Sequence, residues 1–357
     1  MTQKTPFYSH HINLGAKIVD YAGFSMPIYY DSINEEHNQV REKAGLFDVS
    51  HMGQIIIEGD SVVEYLDRVT TNNISKLFIG KVQYSCILND QGFVLDDLLV
   101  YKISENKFML VVNASNTKKI INWLNKQNKY NLNIINITSR NGLLAIQGPK
   151  ALNILQKLTN FNLNDIKYYS FKYIDIMDIK NVLVSATGYT GAGGFEIYTD
   201  KDNIRKIWDY LFSLNNVDLS PIGLGARDTL RMEMGYCLYG NEINETTTPL
   251  EAGLSWIVDF SKDFIGRDAL KSKKLTKKII GFTLEERGIA RNNYEIVNEN
   301  NEKIGYVSSG TMSPFLNKSI GIGFLFENSL FNNIYILIRN RKIKAKLEQL
   351  PFVKKNN

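Results

Sequence analysis

Cysteine, histidine and long apolar runs are scarce in this sequence. Its 357 residues include four histidines and two cysteines, Cys86 and Cys237, which lie far apart along the chain. Such isolated cysteines are expected to stay reduced thiols in a reducing compartment. The start MTQKTPFYSHH has neither the basic and apolar segments of a signal peptide nor the pattern of a transit peptide. No uncharged apolar run approaches the roughly 18 residues of a membrane span, so a cytoplasmic location is predicted.

Several common site signatures are absent as well. The histidines show no zinc-type spacing with the cysteines, so no metal site is predicted. Neither a dinucleotide-binding fingerprint nor a basic stripe for nucleic acid occurs. The net charge of +5 is mild, and the basic run KSKKLTKK at 271–278 is interpreted as a solvated face. These absences favour a globular protein that binds neither membrane nor nucleic acid.

Composition and periodicity predict a mixed fold. Hydrophobic residues make up 44% and charged residues 22% of the sequence, as in ordinary globular proteins. The length predicts two or three domains. Apolar alternation and helical spacing predict an α+β unit within 52–137, and 142–159 resembles 54–70 at an offset of 89 residues, which suggests a duplication. After about residue 280, short strand candidates separated by Gly, Asn and Ser predict a small all-β barrel or sandwich.

The stretch GFVLDDLLVYKI at 92–103 places two adjacent aspartates inside a predicted strand. Because successive strand residues point to opposite faces, Asp97 lies on the more apolar face and Asp96 on the other. The face of Asp96 ends in Lys102, which suggests contact with water. Burial among apolar side chains would raise the pKa of Asp97 into the range that is useful for proton transfer. The alternative is a surface aspartate, or one that pairs with an arginine.

Two further segments are candidate binding elements. In SATGYTGAGGFEIY at 185–198, the glycines would allow close approach to a flat ligand, with Tyr189 stacking and Glu196 hydrogen-bonding. The alternative is a flexible hairpin turn. Arg227 and Arg231 lie four residues apart in a predicted helix, so both project from one face and suit an anionic ligand. The alternative for these arginines is pairing with buried acids.

Taken together and in this order, the motifs resemble the aminomethyltransferase family, the T-proteins of the glycine cleavage system. The resemblance runs from Thr5 to Val353, and its most specific part is GLGARDTLRMEMGYCLYGNEINETTTPLEAGLSW. The other segments that carry it are MPIYYDSINEEHNQVREKAGLFDVSHMGQ, GFVLDDLLVY, LLAIQGP, TGYTGAGGFE, DFIGRDAL and SSGTMSP. The resemblance implies an α+β, three-lobed, folate-binding ring, with two ferredoxin-like α+β lobes and a C-terminal all-β barrel around a central channel. The implied domains are 1–51 with 138–248, then 52–137, and finally 249–357 as linker and barrel.

The resemblance also implies a reaction and a set of site residues. The methylene of an aminomethyl group on the lipoyl arm of H-protein would pass to tetrahydrofolate, the co-substrate. The products would be 5,10-methylenetetrahydrofolate, ammonia and the reduced arm, as in glycine catabolism. Asp97 matches the family's catalytic carboxylate, the second acid of the LDDL motif. The matching folate- and substrate-binding positions are Glu196, Arg227, Tyr189, Tyr84, Met52 and Asn113.

Two other activities fit the same scaffold. A folate-dependent demethylase would act on a small methylated donor in a closed pocket, whereas a carrier-bound donor needs an exposed mouth. A non-enzymatic folate-binding relative that assists iron–sulfur assembly resembles this chain around a Lys-Gly-Cys motif. Here Cys237 is present without the preceding Lys-Gly, which favours the transferase and the interpretation of Cys237 as a structural thiol.

Overall fold

A computed structural model describes residues 2–214, 217–339 and 341–354 of the chain. Strands and helices are numbered here in chain order. The strands are β1 Gln3–Lys4, β2 Lys17–Tyr21, β3 Phe24–Tyr29, β4 Ala44–Asp48, β5 Gly53–Glu58, β6 Val82–Leu88, β7 Val94–Ser104, β8 Lys107–Val112, β9 Asn133–Asn136, β10 Asn141–Gln147, β11 Phe171–Ile176, β12 Ile179–Ser185, β13 Gly194–Asp200, β14 Leu219–Ile222, β15 Lys277–Leu284, β16 Glu295–Val297, β17 Lys303–Ser313, β18 Lys318–Phe326, β19 Ile334–Ile338 and β20 Arg341–Glu348. The α-helices are α1 Tyr8–Asn13, α2 Ile33–Glu42, α3 Val62–Val69, α4 Thr117–Gln127, α5 Ala151–Leu155, α6 Lys201–Ser213, α7 Leu224–Glu233 and α8 Arg267–Ser272.

Residues 53–136 form a lobe around a five-stranded antiparallel sheet with the order β6-β7-β8-β5-β9. Helices α3 and α4 cover one face of this sheet. Val62 and Leu66 lie one helical turn apart on α3, so they form an apolar stripe that packs with Ile57 and Leu98 of the sheet. We call this unit the inserted lobe, because the chain enters it after β4 and leaves it before β10.

The segments on either side of the inserted lobe build a six-stranded sheet, with the order β11-β12-β13-β10-β4-β14. We call this unit the split lobe. Its succession β10-α5-β11-β12-β13-α6 repeats the succession β5-α3-β6-β7-β8-α4 of the inserted lobe. The similar stretches 54–70 and 142–159 therefore form equivalent elements, although a common origin stays a hypothesis. An apolar cluster that includes Phe47, Leu143 and Val111 lies between the facing sides of the two sheets.

The remaining large sheet closes into a six-stranded barrel with the order β15-β18-β17-β16-β19-β20, which confirms the predicted α+β class with an all-β barrel. No helix in the described part of the chain is both long and apolar enough to span a membrane. Because the split lobe, the inserted lobe and the barrel each have a buried apolar cluster, we propose these three units as domains with the boundaries predicted above. Within those boundaries, residues 1, 215–216, 340 and 355–357 lie outside the described residues.

Helix α7 joins the split lobe to the barrel through a buried ion pair. Arg231 donates from Nη1 to Glu242 Oε2 at 2.8 Å, and both side chains are almost completely buried. Glu242 Oε1 in turn accepts hydrogen bonds from the hydroxyls of Ser308 and Ser309 on β17, each at 2.6 Å. These contacts fix α7 against the barrel, and with it Arg227, which lies one helical turn earlier.

Candidate active site

The two sheets and the barrel surround a cavity of about 960 Å³, which we call the central cavity. The barrel contributes residues 278–281 and 347–351 to its wall. The structure brings all seven sequence-predicted site residues to this one cavity. They are Met52, Tyr84, Asp97, Asn113, Tyr189, Glu196 and Arg227.

Asp97 lies on β7 between hydrogen-bond donors from the two neighbouring strands. Tyr84 of β6 donates from its hydroxyl to Asp97 Oδ2 at 2.9 Å, and Asn113, directly after β8, donates from Nδ2 to Oδ1 at 2.7 Å. Burial raises the pKa of the Asp97 carboxyl, although these two hydrogen bonds and the charge of Arg227 oppose the shift. A carboxylate held in this way can accept a proton from a ligand in the cavity.

The neighbouring Asp96 is also buried, so the expectation that its face contacts water is wrong. The residue is 0% exposed and does not line the cavity. Its Oδ1 accepts hydrogen bonds from Asn116 Nδ2 at 2.6 Å and Asn113 Nδ2 at 2.8 Å, and its Oδ2 accepts one from the Asn113 backbone N–H at 3.2 Å. Burial and the charge of Asp97 raise the pKa of the Asp96 carboxyl well above its usual range. Two adjacent carboxyls therefore share one asparagine side chain.

Glu196 of β13 reaches the central cavity from the split lobe. Thr187 donates from Oγ1 to Glu196 Oε2 at 2.5 Å, and the Tyr198 hydroxyl donates to the same oxygen at 3.2 Å. The hydroxyls of Tyr198 and Tyr101 are hydrogen-bonded to each other at 2.8 Å. Burial raises the pKa of the Glu196 carboxyl, and the hydroxyl donors lower it in part. Because a carboxylate offers about four acceptor positions, Glu196 retains capacity for a ligand with several donors.

Arg227 brings a positive charge to the cavity wall. The ion pairs that α7 makes within the described residues do not involve Arg227. Its guanidinium carbon lies 4.4 Å from the centroid of the Tyr189 ring. The Tyr189 hydroxyl donates to the Cys237 carbonyl, and its ring stacks on that of Tyr236 at 5.7 Å. A guanidinium that is held against an aromatic ring and makes no direct ion pair is suited to bind an anionic group.

Arg231 and Cys237 have different environments from Arg227. Arg231 does not line the cavity, and it forms ion pairs with Asp228 and Glu242. For this arginine the structure therefore favours pairing with acids over binding of an anionic ligand. Cys237 lines the cavity wall, and burial raises the pKa of its thiol well above the usual range, which makes it a weak nucleophile at neutral pH.

In residues 2–214, 217–339 and 341–354, no group of three or more His, Cys, Asp or Glu side chains is arranged to hold a metal ion.

Two aromatic residues that sequence reasoning did not select mark the opening of the cavity. Trp256 is 66% exposed and Tyr168 is 62% exposed, yet both belong to the cavity lining. The Trp256 ring lies 5.8 Å from that of Tyr84, which holds Asp97. Exposed aromatic surface beside a cavity is typical of a binding site. No periodic signal marks these residues, because Trp256 lies in a single-turn 3-10 helix, Ser255–Ile257, and Tyr168 lies in a turn.

Comparisons with known proteins cover nearly the whole chain. A family model described as the GCVT N-terminal domain matches residues 7–262, and one described as the glycine cleavage T-protein C-terminal barrel domain matches residues 277–354. An aminomethyltransferase of Flavobacterium psychrophilum is 46% identical, with 99% of this chain and 100% of that protein covered. One of Phocaeicola vulgatus is 47% identical, with 98% and 99% covered. The crystal structure of glycine cleavage system aminomethyltransferase T from Bartonella henselae superposes with a TM-score of 0.92 at 31% identity, with 99% of each chain covered.

Proposed function

The chain belongs to the aminomethyltransferase family, the T-proteins of the glycine cleavage system, and we propose that it moves a methylene group from the lipoyl arm of H-protein to tetrahydrofolate. The observation that carries the proposal is the chemistry of one cavity. A buried carboxylate that can take a proton, Asp97, lies there with a second carboxylate, Glu196, and with a cation, Arg227, that makes no direct ion pair within the described residues.

The proposed reaction is a group transfer in which no atom is oxidised or reduced. The methylene carbon loses its bonds to the lipoyl sulfur and to the amino nitrogen, and it forms bonds to two nitrogens of tetrahydrofolate. The two protons that those nitrogens give up leave with the ammonia and with the thiol. The transfer therefore needs a group that accepts a proton and a negative charge that stabilises cationic iminium character on the carbon.

Asp97 is the residue that we assign to both tasks. Tyr84 and Asn113 fix the orientation of its carboxylate, so no reorganisation is needed when the substrates meet. Its raised pKa makes it a stronger base than an exposed aspartate. In a buried site its negative charge also acts on a developing positive charge more strongly than it would in water.

Glu196 and Arg227 are assigned to folate binding. The pterin of tetrahydrofolate is flat and has an amidine-like edge with several N–H donors, which suits the acceptor capacity of Glu196. The carboxylates of the folate tail are anionic, which suits the guanidinium of Arg227. Met52 and Tyr189 belong to the same wall and are assigned to contact with the folate.

We expect Glu196→Gln to weaken tetrahydrofolate binding by roughly 10- to 100-fold, because hydrogen bonds to a charged acceptor contribute about 1.5–3 kcal/mol. The substitution keeps the shape of the side chain and removes its charge. Isothermal titration with tetrahydrofolate measures the change in Kd. The matched control is Glu348→Gln, which makes the same change on the barrel side of the cavity. An equal loss in both variants would mean that overall charge, rather than a specific contact, determines binding.

The donor is proposed to arrive on a carrier rather than as a free small molecule. The mouth of the central cavity is proposed at its exposed lining residues, which include Trp256 and Tyr168. An apolar lipoyl arm can pass such a mouth while its carrier domain stays outside. A small methylated donor, the substrate of the alternative demethylase, would not need this opening.

The test of the function is a reconstituted reaction. Purified protein is mixed with tetrahydrofolate and with lipoylated H-protein whose arm carries an aminomethyl group derived from glycine. We expect ammonia and 5,10-methylenetetrahydrofolate in equal amounts, and neither product when the carrier lacks its lipoyl group. Absence of both products would contradict the proposal. Transfer of a methyl group from a small methylated donor to tetrahydrofolate, which gives 5-methyltetrahydrofolate and the demethylated donor without carrier turnover, would favour the demethylase.

A further inference from the structure

We propose that Asp96 is a positioning residue for the transfer, which holds the Asn113 side chain with its amide nitrogen toward Asp97 and its carbonyl oxygen toward the central cavity. The inference rests on the proposed function and extends it to a residue outside the cavity lining. Asp96 touches no ligand in this arrangement, so its effect on the reaction is transmitted through Asn113.

The Asn113 amide is shared by the two adjacent carboxyls. Its Nδ2 lies 2.8 Å from Asp96 Oδ1 and 2.7 Å from Asp97 Oδ1. An amide nitrogen has two hydrogens, so each hydrogen is committed to one carboxyl. The carbonyl oxygen on the same plane is then directed away from both acids. None of the hydrogen bonds that Asn113 makes in the described residues uses this side-chain oxygen, so it can accept an N–H from a substrate.

Asp96 is held in place by hydrogen bonds within the protein, and none of them is available to a ligand. It is 0% exposed, and its hydrogen bonds in the described residues all come from N–H donors. Asn116 Nδ2 and the backbone N–H of Asn113 supply two of them, at 2.6 and 3.2 Å. Asn113 and Asn116 bound the turn between β8 and α4. Asp96 therefore ties β7, the strand that carries Asp97, to the turn that carries Asn113.

An acceptor at position 96 is what makes the other orientation of Asn113 unfavourable. If the amide turned by about 180°, its carbonyl oxygen would face both carboxyls, and the hydrogen bonds from Nδ2 to Asp96 and Asp97 would both be lost. Asp97 would lose one of its two orienting hydrogen bonds. The cavity would gain an N–H donor where an acceptor now lies. Such a change impairs the transfer step, which uses Asp97, more than folate binding, which uses Glu196.

The test replaces Asp96 with asparagine, which keeps the shape of the side chain and allows either orientation of Asn113. For Asp96→Asn we expect kcat for ammonia release to fall at least about 10-fold, while KM for tetrahydrofolate changes less than about 3-fold. The matched control is Asn116→Ser, which removes another donor to Asp96 without touching Asn113. Its kcat should stay within about 3-fold of the wild-type value. Equal losses in both variants would mean that Asp96 only stabilises the turn, which would overturn the inference.

A double-mutant cycle with Asn113→Ala tests whether Asp96 acts through that residue. If it does, the variant with both substitutions has the same kcat as Asn113→Ala alone, whereas multiplied losses contradict the inference. If Asp96→Asn does not fold, a wild-type kcat in Asn113→Ala would overturn the inference by itself. Wild-type protein that releases no ammonia would refute the proposed function. An active wild type beside an equally active Asp96→Asn would refute only the role of Asp96.

Discussion

Replacing Asp97 with asparagine is expected to lower the rate of ammonia release by roughly 10²- to 10⁴-fold, the range for loss of a general acid–base group. Asparagine has nearly the same shape, but it cannot take the proton of a folate nitrogen and has no charge to stabilise an iminium carbon. The folate itself is assigned to Glu196 and Arg227. The Kd for tetrahydrofolate should therefore change by less than about 10-fold, which corresponds to one or two hydrogen bonds.

The control for this prediction is Asp90→Asn, the same change in the exposed turn before β7. It should leave both the rate and the Kd near wild-type values. Single-turnover measurements with charged H-protein separate the chemical step from carrier binding. Unchanged ammonia release in Asp97→Asn would remove Asp97 from the mechanism. A loss of folate affinity as large as the loss of rate would mean that Asp97 binds folate rather than assists the transfer.

Much of the fold follows from periodicity in the sequence. Val62 and Leu66 repeat at helical spacing and pack as one stripe of α3, and the strands β6, β7 and β8 pair with their neighbours in chain order. Short strands after residue 280 do close into a barrel. Periodicity cannot show that the split lobe is interrupted by the inserted lobe, because β4 and β10 pair across the whole of that insertion.

The environment of Lys102 explains why the face of Asp96 does not contact water as predicted. A lysine at the end of a strand face suggests contact with water, yet Lys102 is only 7% exposed. Its ammonium reaches Glu105 at 2.8 Å, and it lies 5.9 Å from the centroid of the Phe108 ring. The aliphatic stem thus covers apolar surface while the charge reaches a partner at the edge. One lysine therefore does not define a solvent-exposed face when most of the other side chains on that face are apolar.

The residues of the candidate site are predicted by the resemblance to the family more than by local sequence patterns. Helical spacing places Arg227 and Arg231 on one side of α7, but only Arg227 lines the cavity. What distinguishes them is Glu242, which lies after the helix and is brought to Arg231 by contacts with the barrel. No local pattern contains that information. No local pattern marks Trp256 either, since it lies in the short 3-10 helix Ser255–Ile257 and its position beside Tyr84 depends on packing between lobes.

Replacing Glu242 with glutamine is expected to lower the free energy of unfolding by roughly 3–5 kcal/mol, because removing one partner of a buried ion pair leaves the other charge uncompensated. Arg231 is 1% exposed, and its remaining acidic partner, Asp228, is half exposed. The hydroxyls of β17 that donate to Glu242 would also lose a charged acceptor. Urea unfolding of the full chain, followed by tryptophan fluorescence, measures the loss.

The matched control is Asp228→Asn, which removes the other acidic partner of the same arginine. Because Asp228 is 50% exposed, water replaces much of its interaction, and the expected loss is below about 1 kcal/mol. Equal losses in the two variants would contradict the argument from burial. Arg227 lies one turn before Arg231 on α7, so loosening α7 from the barrel should also weaken folate binding in Glu242→Gln. A destabilised Glu242→Gln with unchanged folate affinity would mean that the split lobe alone holds Arg227 in place.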